Sequence, residues 1–121
     1  MITEDYVSFE TAKLLKERGF DGECRDYYNI DGHFYSEDFK SNWNFGKGAI
    51  TIFSAPTLQM AMKWLREKHN IFLSIQQHMD MSYVWYTYAN GIPRGCDRES
   101  HNNSYEEACD AAIKYCLENL I

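Results

Sequence analysis

Cys96 and His101 are the two residues of this chain whose types and spacing come nearest to chemistry. They lie in one polar stretch, "GIPRGCDRESHNN" (residues 91–103), with Arg94 and Arg98 on either side of the cysteine. Neighbouring guanidiniums favour a thiolate, and a histidine folded back onto it could serve as its base. No third group that would orient the histidine can be named, and no nucleophile signature surrounds the pair, so the stretch reads first as a connecting loop. A metal is the next chemistry to weigh. His78, Asp80, Cys96 and His101 are the weak candidate ligands, but zinc sites are built from close pairs such as Cys-x-x-Cys, which this chain lacks. "FGKGAI" places glycines around Lys47 without the longer loop and following helix that cradle a phosphate. No cofactor is expected.

The other cysteines carry less. Cys109 and Cys116 sit seven residues apart on an apolar helical face, where a thiol behaves as a small hydrophobe and ionises with difficulty. Cys24 opens an expected strand.

Three helices are expected to position these residues. "VSFETAKLLKERGFD" starts at Ser8, whose hydroxyl can accept an orphan backbone N–H, and stops at Gly19, which tolerates left-handed backbone. "SAPTLQMAMKWLREKHN" opens at Pro56 or Thr57 and closes at Asn70. "NSYEEACDAAIKYCLENLI" carries a capping box, Ser104 with Glu107 three residues on. Between the helices, "CRDYYNIDGHFYSE" reads as a hairpin about a two-residue turn, Asp31-Gly32, and "AITIF" (49–53) as a short strand. Two further strands span 71–77 and 82–89. Asn90-Gly91 then turns the chain into "IPRGCD", where Pro93 confines the strand to an edge or keeps it short. The order α-β-β-(β)-α-β-β-β-α predicts an α+β fold, an antiparallel sheet built from hairpins with three helices. No internal repeat or linker is visible, and 121 residues suit a single domain, 1–121, with one core.

Composition narrows the function classes. The net charge of −6 works against general attraction to phosphate backbones. Residues 54–70 form the one positive region: Lys63, Arg66 and Lys68 against Glu67 leave +2. Residues 57–120 follow the element order of a double-stranded-RNA-binding domain. At the start of the last helix, however, where such domains are basic, this chain reads Ser104-Tyr105-Glu106-Glu107. Aromatic residues make up 16% of the chain, and such side chains dominate both cores and binding surfaces. No eighteen-residue apolar run and no secretory leader are seen, so a cytoplasmic protein with free thiols and no membrane contact is expected.

The helical faces are wide. In the second helix Leu58, Ala61, Met62 and Leu65 make one stripe. Met60 and Trp64 flank it and widen the apolar arc to about 200°, twice that of an ordinary surface helix. A helix wedged between other elements would explain this. So would a partner-binding surface carried by Met60 and Trp64, residue types enriched at interfaces, with a homodimer as its simplest form.

The segments "APTLQMAMKWLREKHNI", "SYEEACDAAIKYCLENLI" and "YVSFETAKLLKERGFD" resemble a group of small proteins of phages and mobile elements of gut Bacteroidales. The resemblance covers under half the chain and rests on structural helices. It implies a fold and a genomic habit, and no active-site residue, reaction or ligand. The leading expectation is therefore a small non-enzymatic accessory protein that binds another protein or itself. A nucleic-acid-binding module is the alternative, and a small metal- or thiol-dependent enzyme a further one.

Overall fold

The structure is a computed structural model and describes residues 2–45, 51–97 and 102–121. Its elements run α1 (Phe9–Glu17), β1 (Cys24–Asn29), β2 (Phe34–Ser41), β3 (Ile52–Ser54), α2 (Leu58–His69), β4 (Ile71–Gln77), β5 (Tyr83–Ala89), β6 (Ile92–Cys96) and α3 (Tyr105–Asn119). This is the α+β order expected. The strands form two antiparallel three-stranded sheets, however, ordered β2-β1-β3 and β4-β5-β6. The chain divides accordingly into two compact units, 1–60 and 61–121, the boundary falling inside α2.

In the first unit, Ser8 Oγ accepts the Thr11 N–H at 3.2 Å to start α1, and Gly19 ends it at φ +88°. Ala12 and Leu15 are fully buried. Lys16 Nζ reaches back to the Ile52 carbonyl at 2.8 Å and lies 5.0 Å from the Phe53 ring centre, which holds α1 against β3. The β1–β2 connection departs from the two-residue turn. Gly32 N donates to Asn29 O and Asn29 N to His33 O, leaving a three-residue loop in which only Gly32 has positive φ (+83°). Asn29 decides this: its Oδ1 accepts from both Asp31 N and His33 N at 2.9 Å, an Asx turn that costs the Asp31 position its left-handed conformation. The third strand is described over Ile52–Ser54; its expected start at Ala49 falls in residues 46–50, which lie outside the described residues.

At the end of the first unit Thr57 Oγ1 caps α2 by accepting from Met60 N; in the second unit Asn70 closes the helix at φ +54°. β4, β5 and β6 form a simple meander. Asn90 and Gly91, at φ +53° and +80°, make the expected type I′ turn between β5 and β6. The β4–β5 loop is again three residues long and ends on Met81 at φ +71°, a position that favours glycine. Ser104 Oγ accepts from Glu107 N, and Glu107 Oε2 accepts in return from Asn103 N. α3 packs on β4 and β5, burying Ala108, Cys109, Ala112, Ile113, Cys116 and Leu117.

Candidate functional site

The stretch from Gly91 to Asn103 is pinned at its ends by structural contacts. Cys96 is exposed at the end of edge strand β6, paired in register with Tyr86. Asp97, next to it, is occupied: Oδ1 accepts from Trp85 N and Oδ2 from Asn102 Nδ2, each at 2.8 Å. The Arg94 carbonyl accepts from Tyr115 Oη at 3.3 Å. Arg98 and His101 lie outside the described residues, so the Cys96–His101 pairing has no geometry to report. His78 and Asp80 belong to the β4–β5 loop, where Asp80 Oδ1 accepts from Ser82 N and Ser82 Oγ. Among the described residues, no three His, Cys, Asp or Glu side chains cluster as metal ligands.

Cys24, Cys109 and Cys116 are buried. Burial pushes the Cys109 thiol up to about 11 and the Cys116 thiol up to about 12, and it raises that of Cys24 as well. A free thiol ionises near 8.5. The stabilisation that Cys109 and Cys116 gain from staying protonated is thus whole below that pH and is lost as pH climbs towards their folded values. Cys96 is accordingly expected to react with a maleimide or disulfide reagent at pH 8 at least about 100-fold faster than the other three, which react only on unfolding. Mass spectrometry of partly labelled protein checks this; rapid labelling of Cys109 or Cys116 in the folded chain would contradict it.

Two concave regions remain. The first, of about 470 Å³, lies in the first unit and is lined by Glu4, Tyr6, Arg25, Asp26, Lys40 and Met60 among others. Its acids and bases offset each other. Burial and the Asp26 carboxylate raise the Tyr6 hydroxyl, and Cys24 is raised too, so no nucleophile is activated there. Met60, half-buried, is part of this wall. Trp64, the other residue expected to face a partner, is 8% exposed, its ring 4.8 Å from that of His69.

The second region lies on the face of the β4-β5-β6 sheet opposite α3, where the part around Phe72 is open and Val84, opposite Gln76, is fully buried. Register sorts the side chains. Ile71, Leu73, Ile75, Trp85, Thr87 and Gly95 share one face, and the Trp85 ring lies 4.9 Å from that of Tyr115 of α3, tilted by 42°. Phe72, Ser74, Tyr86, Tyr88, Pro93 and Cys96 share the other. On that open face a groove of about 520 Å³ runs between Arg66, Asn70, Phe72, Ser74 and Tyr88, and a second of about 350 Å³ adjoins it beyond Tyr88, beside Pro93 and Cys96. Phe72 is 53% exposed and sits 6.2 Å from Tyr88, ring to ring. Sequence reasoning passed over Phe72, because an unbroken apolar run such as "IFL" reads as a strand buried on both faces.

Among the described residues no helix is long and apolar enough to cross a membrane. No protein-family model, curated protein or solved structure matches the chain.

Proposed function

We propose that the chain is a non-enzymatic accessory protein that acts by binding another polypeptide through the open face of its second sheet. The carrying observation is that face itself: Phe72, Tyr86 and Tyr88 around two contiguous grooves, with α3 already covering the opposite side. Exposed aromatic groups beside apolar concavities are the anchors by which proteins hold one another. The three buried thiols are held in the protonated form by their surroundings. The four unpaired cysteines suit a reducing, cytoplasmic setting, and the resemblance noted above suits a mobile element's accessory that acts on a host protein.

The nucleic-acid alternative is less well supported. α2-β4-β5-β6-α3 does follow the order of a double-stranded-RNA-binding domain. Yet Glu106 and Glu107, both exposed, occupy the first turn of α3, where they repel phosphate.

The test is affinity capture from the native host with the natural chain and with Phe72→Ala/Tyr88→Ala. A partner, or a second copy, is expected to be held at least about tenfold more weakly by the double variant, with an unchanged circular dichroism spectrum. Retention that ignores both substitutions would overturn the proposal.

A further inference from the structure

The two outer strands of the second sheet differ in how they are protected. β6 carries Pro93 and Arg94 and a bulge opposite Thr87 and Tyr88, the devices that keep an edge from pairing. β4 reads "IFLSIQQ". It has seven residues with no charge, no proline and no break in its register, and among the described residues no strand pairs with its outer edge. The hydrogen bonds Asn90 N to Asn70 O and His78 N to Ser82 O bracket the β4–β5 ladder. Bonded pairs alternate in an antiparallel ladder, so the even-numbered residues of β4 bond to β5. The N–H and C=O groups of Ile71, Leu73, Ile75 and Gln77 then point away from the sheet.

We infer that β4 pairs antiparallel with β4 of a second copy, about a two-fold axis at Ser74, to make one continuous six-stranded sheet. This deepens, and rests on, the reading of the second sheet as a protein-binding element. Of the two-fold registers, only the one centred on Ser74 pairs all seven residues. It sets Ile71 against Gln77 and Leu73 against Ile75, which are the residues whose backbone groups face outward.

The side chains agree with this register. On the α3 side the apolar row Ile71, Leu73, Ile75 continues into the same row of the copy, covering the half-exposed Ile75. On the open side a small residue, Ser74, meets itself at the axis, and Gln76 of the copy comes opposite Phe72 at the groove. Charge is complementary as well. The last turn of α2 carries Arg66, Lys68 and His69, and the β4–β5 loop carries Asp80 beside the fully exposed Met79. Antiparallel pairing about Ser74 brings each basic turn to the copy's loop. A short interface of this kind sits at the weak end of the range for stable dimers.

Sedimentation equilibrium from about 1 µM to about 1 mM, the span in which so short an interface associates, tests the inference. The natural chain is expected to dimerise. Ser74→Lys and Ser74→Asp each set like charges against themselves at the axis and are expected to weaken the dimer at least about tenfold. Mixed together they are expected to restore it, because only then do opposite charges meet. Gln77→Pro removes an outward backbone N–H and no backbone bond to β5, though it also deletes the exposed donation from Gln77 Nε2 to Tyr83 Oη; Gln77→Ala, which deletes that donation alone, is the control. Gln77→Pro is expected to weaken the dimer with the monomer's circular dichroism intact, and Gln77→Ala to leave the dimer in place. A natural chain monomeric throughout, or a dimer indifferent to Ser74→Lys and Gln77→Pro, would overturn the pairing. Capture of another protein that depends on Phe72 and Tyr88 would then leave the broader binding proposal standing. A dimer sensitive to Ser74→Lys but not to Phe72→Ala/Tyr88→Ala supports the pairing even if the open face binds nothing.

Discussion

Trp85→Ala is expected to destabilise the second unit by about 3–5 kcal/mol, the usual cost of deleting a large buried aromatic side chain. Trp85 is 7% exposed at the centre of β5, on the face covered by α3, with its ring 4.9 Å from Tyr115. Removing it deletes apolar area and leaves a cavity that the strands cannot close, because β5 is hydrogen-bonded on both sides. The backbone bond from Trp85 N to Asp97 survives the substitution, so the loss belongs to packing. Urea unfolding followed by circular dichroism measures it. A cost under about 1 kcal/mol would mean that α3 does not rest on this face.

Gly95→Val is expected to cost about 1–3 kcal/mol through overpacking. Gly95 is required for space rather than for backbone freedom. A Cβ there would lie 2.7 Å from Tyr115 Cζ and meet Oη as well. Tyr115 cannot move aside freely, since its ring packs on Trp85 and its hydroxyl donates to the Arg94 carbonyl. Tyr115 of α3 therefore reaches over β6 only because position 95 has no side chain. Trimming Tyr115 makes room, so Gly95→Val combined with Tyr115→Ala is expected to cost less than the sum of the single substitutions. Additive costs would show that the two residues do not touch.

These two positions also show why some features are legible in sequence and others are not. The caps at Ser8 and Ser104 and the Asn90-Gly91 turn were readable because each depends on residues within four positions of one another, whatever the rest of the chain does. Asp31-Gly32 was misread at the same scale: Asn29, two residues earlier, captures the turn with its own side chain and lengthens the loop. The broad apolar flank of α2 was visible, yet periodicity cannot say what lies against it. Trp64 is buried, and the apolar surface left open on the second unit includes Phe72, a strand residue whose neighbours on both sides are core.

The sequence by itself determined where helices start and stop, which strands pair through tight turns, and that Cys109 and Cys116 sit on an apolar helical face of low reactivity. These follow from capping, turn chemistry and local hydrophobicity, which act over a few bonds. Only the tertiary structure decided that the six described strands make two sheets and not one, that β4 is the other, unguarded edge of the second sheet, and that Phe72 faces outward while Trp85 faces α3. The physical reason is that strand pairing and face selection are set by contacts between residues far apart in the chain, and a period-two pattern reads the same whichever face is covered.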